Sequence, residues 1–230
     1  MEQKSAIVLL SGGIDSTTLL YHLHDLKYNV EALSIHYGQR HSKELKCAEL
    51  ICKLRDIKHT VCDLGAIKPL LGGSSQTDDV AVPEGHHADP AMRVTVVPNR
   101  NMILLAVAAA MAISHKAPMV AYAAHIGDHA VYPDCRPEFI NTLAEALKLC
   151  HYDGGVELLA PFSELTKTEI VKLGLKLFVP YHLTWSCYAG EDMACGRCGT
   201  CVERLQSFWE AGTEDPIPYK DWEYARSLVS

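Results

Sequence analysis

Residues 6–10, Ala-Ile-Val-Leu-Leu, form an unbroken apolar run of strand length. The chain leaves it through Ser11-Gly12-Gly13-Ile14-Asp15-Ser16-Thr17 into a stretch, Thr17 to Leu23, whose apolar residues have helical spacing. Strand, Gly-Gly turn and helix in that order constrain the fold more than any other feature. The glycines permit positive φ and close backbone approach, so successive N–H groups can converge on an anion. The following helix adds its partial positive charge and unpaired amides. Ser11, Ser16 and Thr17 supply further donors, and a carboxylate among them, Asp15, is explained if it holds a magnesium ion bridging phosphate oxygens. A bare Gly-Gly pair is as readily a capped tight turn, but directly after the first strand of an α/β pattern it reads as a phosphate cradle. No G-x-x-x-x-G-K-[ST] occurs, which excludes the loop of enzymes that cut at the γ-phosphate.

That α/β pattern continues. Strands are expected at Val30–Tyr37, His59–Leu64, Pro118–Ala124 and Val156–Ala160. Helices are expected at Ser42–Asp56, with Leu45, Ala48, Leu50, Ile51 and Leu54 inward, and at Asn101–His115 and Pro137–Cys150. The fold class is therefore α/β: a five-stranded parallel Rossmann-like sheet with helices on both faces and ligands at the strands' carboxyl ends. Thr166-Lys-Thr-Glu169 has the form of a capping box, with Gly174 placed to end its helix. Leu71 to Val94 reads as a long loop, either a lid or a mobile segment. Alternation stops near Pro180, which divides residues 1–180, the main domain, from a small segment, 181–230, packed on it.

Cys187, Cys195, Cys198 and Cys201 stand as C-x7-C-x2-C-x2-C, with Gly190, Gly196 and Gly199 permitting tight turns. Four thiolates so spaced can close a tetrahedral sphere around a metal. A C-x2-C-x2-C run also opens iron–sulfur motifs; Zn2+ is preferred, because four ligands leave no open position and no electron transfer is needed. Cys47, Cys52, Cys62, Cys135 and Cys150 are isolated and read as core residues. Nine cysteines without an export signal suit a reducing compartment, the cytoplasm. The most apolar stretch, Met102 to Ile113, is too short for the roughly 20 residues a membrane span requires. A net charge of −7 argues against a nucleic-acid partner and for a small-molecule substrate.

The Ser11–Thr17 loop resembles the PP-loop of ATP pyrophosphatases, which cleave between the α- and β-phosphates. Together with the four-cysteine segment stand Tyr37-Gly-Gln-Arg-His41, Val97-Pro-Asn-Arg-Asn101, Tyr132-Pro-Asp-Cys-Arg-Pro-Glu-Phe139 and Pro161-Phe-x-x-Leu-x-Lys-Thr-Glu169. From about residue 5 to 218 the chain resembles the 7-cyano-7-deazaguanine synthases. The resemblance implies an adenine nucleotide alpha hydrolase-like fold, ATP and Mg2+ as cofactors beside Zn2+, and a homodimer. It also implies a ligase that converts 7-carboxy-7-deazaguanine and ammonia to the nitrile preQ0 through adenylated acid and amide, for queuosine biosynthesis. ATP would then lie along Leu10, Ser11, Gly12, Gly13, Ile14, Asp15, Ser16, Thr17, Thr18, Leu19 and Leu20. Asp15 and Lys167 would be catalytic, although Lys167 also reads as a solvated first-turn lysine. Asp134 or Glu138 would meet the ring's N–H groups and Arg100 or Arg136 its carboxylate, with Arg40 and His41 as further candidates. Asn99 stands where glycine is expected, and asparagine tolerates the left-handed conformation. Rival readings are a tRNA-thiolating PP-loop enzyme, an enzyme that stops at the amide, and a nucleotide-binding module without activity; Asp15 and Lys167 disfavour the last.

Overall fold

A computed structural model describes residues 4–40, 42–190 and 192–229. His41 lies outside the described residues. Five strands, β1 (Ser5–Leu9), β2 (Asn29–His36), β3 (His59–Asp63), β4 (Met119–Ala121) and β5 (Glu157–Leu159), pair in parallel in the order β3-β2-β1-β4-β5. Around them lie α1 (Ile14–Asp25), α2 (Lys43–Leu54), α3 (Arg100–Ser114), α4 (Pro137–Lys148), α5 (Lys167–Lys176), α6 (Gly199–Glu210) and α7 (Trp222–Val229).

Side chains alternate across a strand, and here each face meets a different core. Ile7, Leu33 and Val120 pack with Leu105, Ala108 and Ala112 of α3 and Leu143 and Leu147 of α4. Their neighbours Val8, Ala32 and Ala121 face Leu19 and Leu20 of α1, Ile51 of α2, Ile170 of α5 and Phe208 of α6. The apolar runs are continuous because both faces are covered. From β1 the chain first builds outward to β3, then returns to place β4 on the other side of β1. A crevice opens where the order reverses, outside the carboxyl ends of β1 and β4.

Several expectations change in detail. On α2, Ala48 and Ile51 are inward as expected, Leu45 is half-buried, and Leu50 and Leu54 are exposed. Cys47 and Cys52 complete the buried stripe, because positions 47, 48, 51 and 52 share one face at 3.6 residues per turn. Cys150 is exposed, its thiol donating to the Leu147 carbonyl at 3.0 Å. The 71–94 loop is tied down rather than loose. Ser74, Ser75 and Thr77 are buried, Thr77 Oγ1 donates to the Leu71 carbonyl at 2.7 Å, and the Gly85 amide donates to the Arg197 carbonyl at 3.0 Å.

Gly174 does not end α5. It lies inside the helix, where a Cβ would be driven into the Tyr181 hydroxyl and come within 3.0 Å of Thr18 Oγ1. Those hydroxyls bond each other at 2.8 Å in the buried seam between α1 and α5. Gly174→Ala gains about 1 kcal/mol of helix propensity, but overpacking of this kind costs about 1–3 kcal/mol and the hydroxyl pair is lost besides. A lower urea midpoint is expected. An unchanged or higher midpoint would contradict the packing role.

Candidate active site

The phosphate loop is shaped by close approach. Gly12 adopts φ +91°, and a side chain there would collide with the Glu44 carbonyl oxygen of α2. Gly13 is the N-cap of α1, the Ser11 and Ser16 hydroxyls meet at 3.0 Å, and the Gly13 amide donates to Ser11 Oγ at 3.2 Å. Leu10, Ser11, Gly13, Asp15 and Ser16 line a crevice cavity of about 270 Å³. Gly12, Ile14, Thr17, Thr18, Leu19 and Leu20 are buried outside that lining, the two leucines in the core. The 3.6-residue period turns only part of the run toward the cavity.

Lys167 is not solvated. It opens α5, where Thr166 and Glu169 form the expected capping box, and its ammonium lies 2.6 Å from Glu203 Oε2 and 3.3 Å from Asp15 Oδ2. A cation at a helix N-terminus is unfavourable; two carboxylates from α1 and α6 offset it here. Burial alone would lower the Lys167 pKa, but Asp15 and Glu203 outweigh it and raise it well above the usual value. Burial alone would likewise raise the Glu203 pKa, yet Lys167, His125 and His87 hold it at about 2. The pair is therefore charged at neutral pH.

His125 and Asp128 come from a 3-10 turn after β4. His125 Nδ1 accepts the Gly127 amide at 3.1 Å, which leaves the proton on Nε2, 3.5 Å from Asp128 Oδ2 and 3.8 Å from Asp15 Oδ2. Burial raises the Asp128 pKa, opposed by the neighbouring His125 and Lys167. Asp15 Oδ1 is buried without a hydrogen-bond partner. A hard oxygen set around an orphaned carboxylate oxygen is what Mg2+ favours, so these residues fit the ion.

Arg100, Glu44, Tyr37, Tyr132 and Tyr188 also line the cavity. Arg100 opens α3 after Asn99, whose φ of +55° is the left-handed conformation expected of it. Arg40, Asp134, Arg136 and Glu138 are not in the lining. Arg40 donates to the Asp78 and Val80 carbonyls, Arg136 donates to the His129 carbonyl, and Glu138 is exposed on α4. Asp134 accepts the Asn101 amide at 3.0 Å, doing for α3 the capping that the Asn99 side chain does not. Glu203, His125, Asp128, His87 and Glu44 were missed in the sequence. His125-x-x-Asp128 had one signal, its place just beyond the carboxyl end of a parallel strand.

The four cysteine sulfurs lie within 4.8 Å of one another, with Cys195 and Cys201 at 3.8 Å. A tetrahedron with bonds of about 2.3 Å has an edge of about 3.8 Å. The Gly190 and Cys195 amides donate to Cys187 Sγ at 3.0 and 3.2 Å, and the Cys198 amide donates to Cys195 Sγ at 3.3 Å. Donors to sulfur favour the thiolate that a metal requires. The cluster is joined to the active site on two sides. The Trp185 amide donates to the Gly12 carbonyl at 3.0 Å, and Cys198 is the N-cap of α6, which carries Glu203. Among the described residues no helix is long and apolar enough to cross a membrane.

The family model for "Queuosine biosynthesis protein QueC" matches residues 5–212. A 7-cyano-7-deazaguanine synthase of Hahella chejuensis is 52% identical over 215 residues, covering 94% of this chain and 93% of that protein. One of Archaeoglobus fulgidus is 49% identical over 212 residues, covering 92% and 89%. With its phosphate loop, buried lysine and four-cysteine cluster in the places described, the chain belongs to the QueC family of queuosine biosynthesis proteins.

Proposed function

We propose that this chain is an ATP-dependent ligase that converts 7-carboxy-7-deazaguanine and ammonia into 7-cyano-7-deazaguanine. The observation that carries the reading is the convergence of the phosphate loop, Asp15 and Lys167 in one crevice that Arg100 also lines. A carboxylate oxygen of the acid attacks the α-phosphorus of ATP, the bond to the bridging oxygen breaks, and pyrophosphate leaves. Ammonia adds to the acyl carbon, AMP departs, and a proton is released with the amide. A second ATP adenylates the amide oxygen in the same way. Departure of that oxygen with AMP, and loss of the two amide protons, leaves the nitrile.

The chain's part is positioning and charge neutralisation. The Gly13 region and the first amides of α1 bind phosphate, and Lys167 meets the charge that grows on pyrophosphate. Arg100 holds the substrate carboxylate. Asp15 and Asp128 would hold Mg2+, which when bound neutralises phosphate charge. Residues from 181 onward act as part of one compact unit rather than as a separate domain. Bonds that cross to the main domain support this: the Tyr181 and Thr18 hydroxyls meet at 2.8 Å, the Trp185 amide donates to the Gly12 carbonyl at 3.0 Å, and Glu203 pairs with Lys167 at 2.6 Å. The metal is Zn2+ in a closed structural site, since the four thiolates leave no position for substrate.

Mixing the protein with ATP, Mg2+, 7-carboxy-7-deazaguanine and ammonium, then separating acid, amide and nitrile by mass spectrometry, tests the reading. Nitrile should accumulate with two AMP and two pyrophosphate for each acid consumed. Accumulation of amide alone would assign an amide-forming enzyme, and absence of AMP would remove the activity altogether.

A further inference from the structure

We propose that Glu44 reads the amino edge of the substrate ring, its carboxylate accepting the adjacent N1–H and 2-amino hydrogens of the 7-deazaguanine. This rests on the reaction proposed above and assigns a specificity residue to it.

Glu44 sits in the first turn of α2, whose backbone abuts Gly12 of the phosphate loop, and its side chain faces the cavity among Tyr37, Tyr188 and Arg100. The other carboxylates in the lining are engaged: Asp15 and Glu203 by Lys167, and Asp128 by His125. Glu44 is not. Burial pushes its carboxyl up to about 7, opposed only by the charge of Arg100, and no donor among the described residues is hydrogen-bonded to it. Glu44 is half-buried in the cavity wall, and a ligand with two adjacent N–H groups gives its carboxylate the donors that the described protein groups do not.

The rest of the wall fits the same ring. Gln76 Nε2 and the Tyr122 hydroxyl, both on residues 6% exposed, also line the cavity without partners. A guanine-type edge presents two donors beside one carbonyl acceptor, so an unengaged carboxylate and an unengaged amide N–H complement it. Tyr37, Tyr132 and Tyr188 offer flat apolar surface for a bicyclic ring. Asp134 and Glu138, the carboxylates the sequence suggests for this task, are outside the lining.

The test compares 7-carboxy-7-deazaguanine with the same acid lacking its 2-amino group, on the wild type and on Glu44→Gln. The wild type should show a KM about a hundredfold higher for the desamino acid, the range set by a lost hydrogen bond to a charged group. Glu44→Gln should bring the two acids within about tenfold of each other, with KM for ATP changed less than about twofold, a selectivity change that general loosening of the fold would not produce. Equal KM for both acids on the wild type, or full discrimination retained by Glu44→Gln, overturns the assignment. The wild-type comparison decides the matter if the variant does not fold. Failure of the wild type to form AMP with either acid would instead sink the reaction itself.

Discussion

Asp15→Asn should lower AMP formation by at least about a thousandfold while leaving the bound metal of the cysteine cluster at one per chain. The substitution keeps the shape of the side chain and removes its charge. Two consequences follow from the geometry. On the proposed assignment Asp15 Oδ1, the buried oxygen with no protein partner, would cease to be an anionic ligand for Mg2+. Lys167 also loses one of the two carboxylates that hold it at the loop, though Glu203 at 2.6 Å keeps it charged and in place. Loss of one preorganised group at a developing charge costs roughly a hundred- to a thousandfold in rate, and loss of an ion's anchor adds to that. Stability should change little, because removing one carboxylate from a cluster that also holds Asp128 and Glu203 relieves repulsion as well as an ion pair. Zinc analysis, a thermal melt and AMP release on one preparation decide the point. Near-wild-type AMP release would show that Asp15 is only a partner for Lys167, and metal loss would show that the two sites are not separable.

Cys201→Ser should cost both the metal and the activity, through the fold rather than through chemistry at the thiolate. Cys201 is buried in the first turn of α6, and its sulfur lies 3.8 Å from that of Cys195. The same helix carries Glu203, which fixes Lys167, and Arg204, whose guanidinium is 1% exposed and tied to Asp215. The strand-like bridge between Glu84 and Cys198 also fastens the 71–94 loop to this knuckle. A structural Zn2+ contributes about 10 kcal/mol or more to the domain that holds it, comparable with the whole stability of an ordinary domain, about 5–15 kcal/mol. The variant should therefore bind no metal, melt at least about 10 °C lower and form almost no AMP. Dialysis of the wild type against a strong chelator should reproduce the effect. Full AMP formation by metal-free protein would exclude the clamp role, and a brown protein with iron and sulfide would replace Zn2+ with a cluster.

The parallel sheet, its helices, the phosphate loop after β1, the capping box at Thr166 and the thiolate cluster were all legible in the sequence. Each rests on residues close together along the chain: an apolar run, a pair of glycines, an i to i+3 pair, cysteines three residues apart. Local backbone preference and short spacings set such features almost independently of context. Gly174 shows the limit. Nothing nearby distinguishes a terminating glycine from one that makes room for Tyr181, a residue of a later turn.

The active-site partners lie beyond that limit for the same reason. Lys167 meets Glu203 across 36 residues, Asp15 meets Lys167 across the seam between α1 and α5, and Glu44 reaches the cavity only because α2 packs its first turn on Gly12. Asp134 and Glu138 stand in a polar motif that looks suited to a ligand, yet one caps α3 and the other faces outward. The sequence by itself determined the sheet, the glycine loop after β1 and the four-cysteine cluster, because periodicity and spacing are properties of the local chain. Only the tertiary structure decided which of the carboxylates lining the cavity pair with Lys167 and His125 and which one does not, because burial and pairing arise when distant segments share the same space.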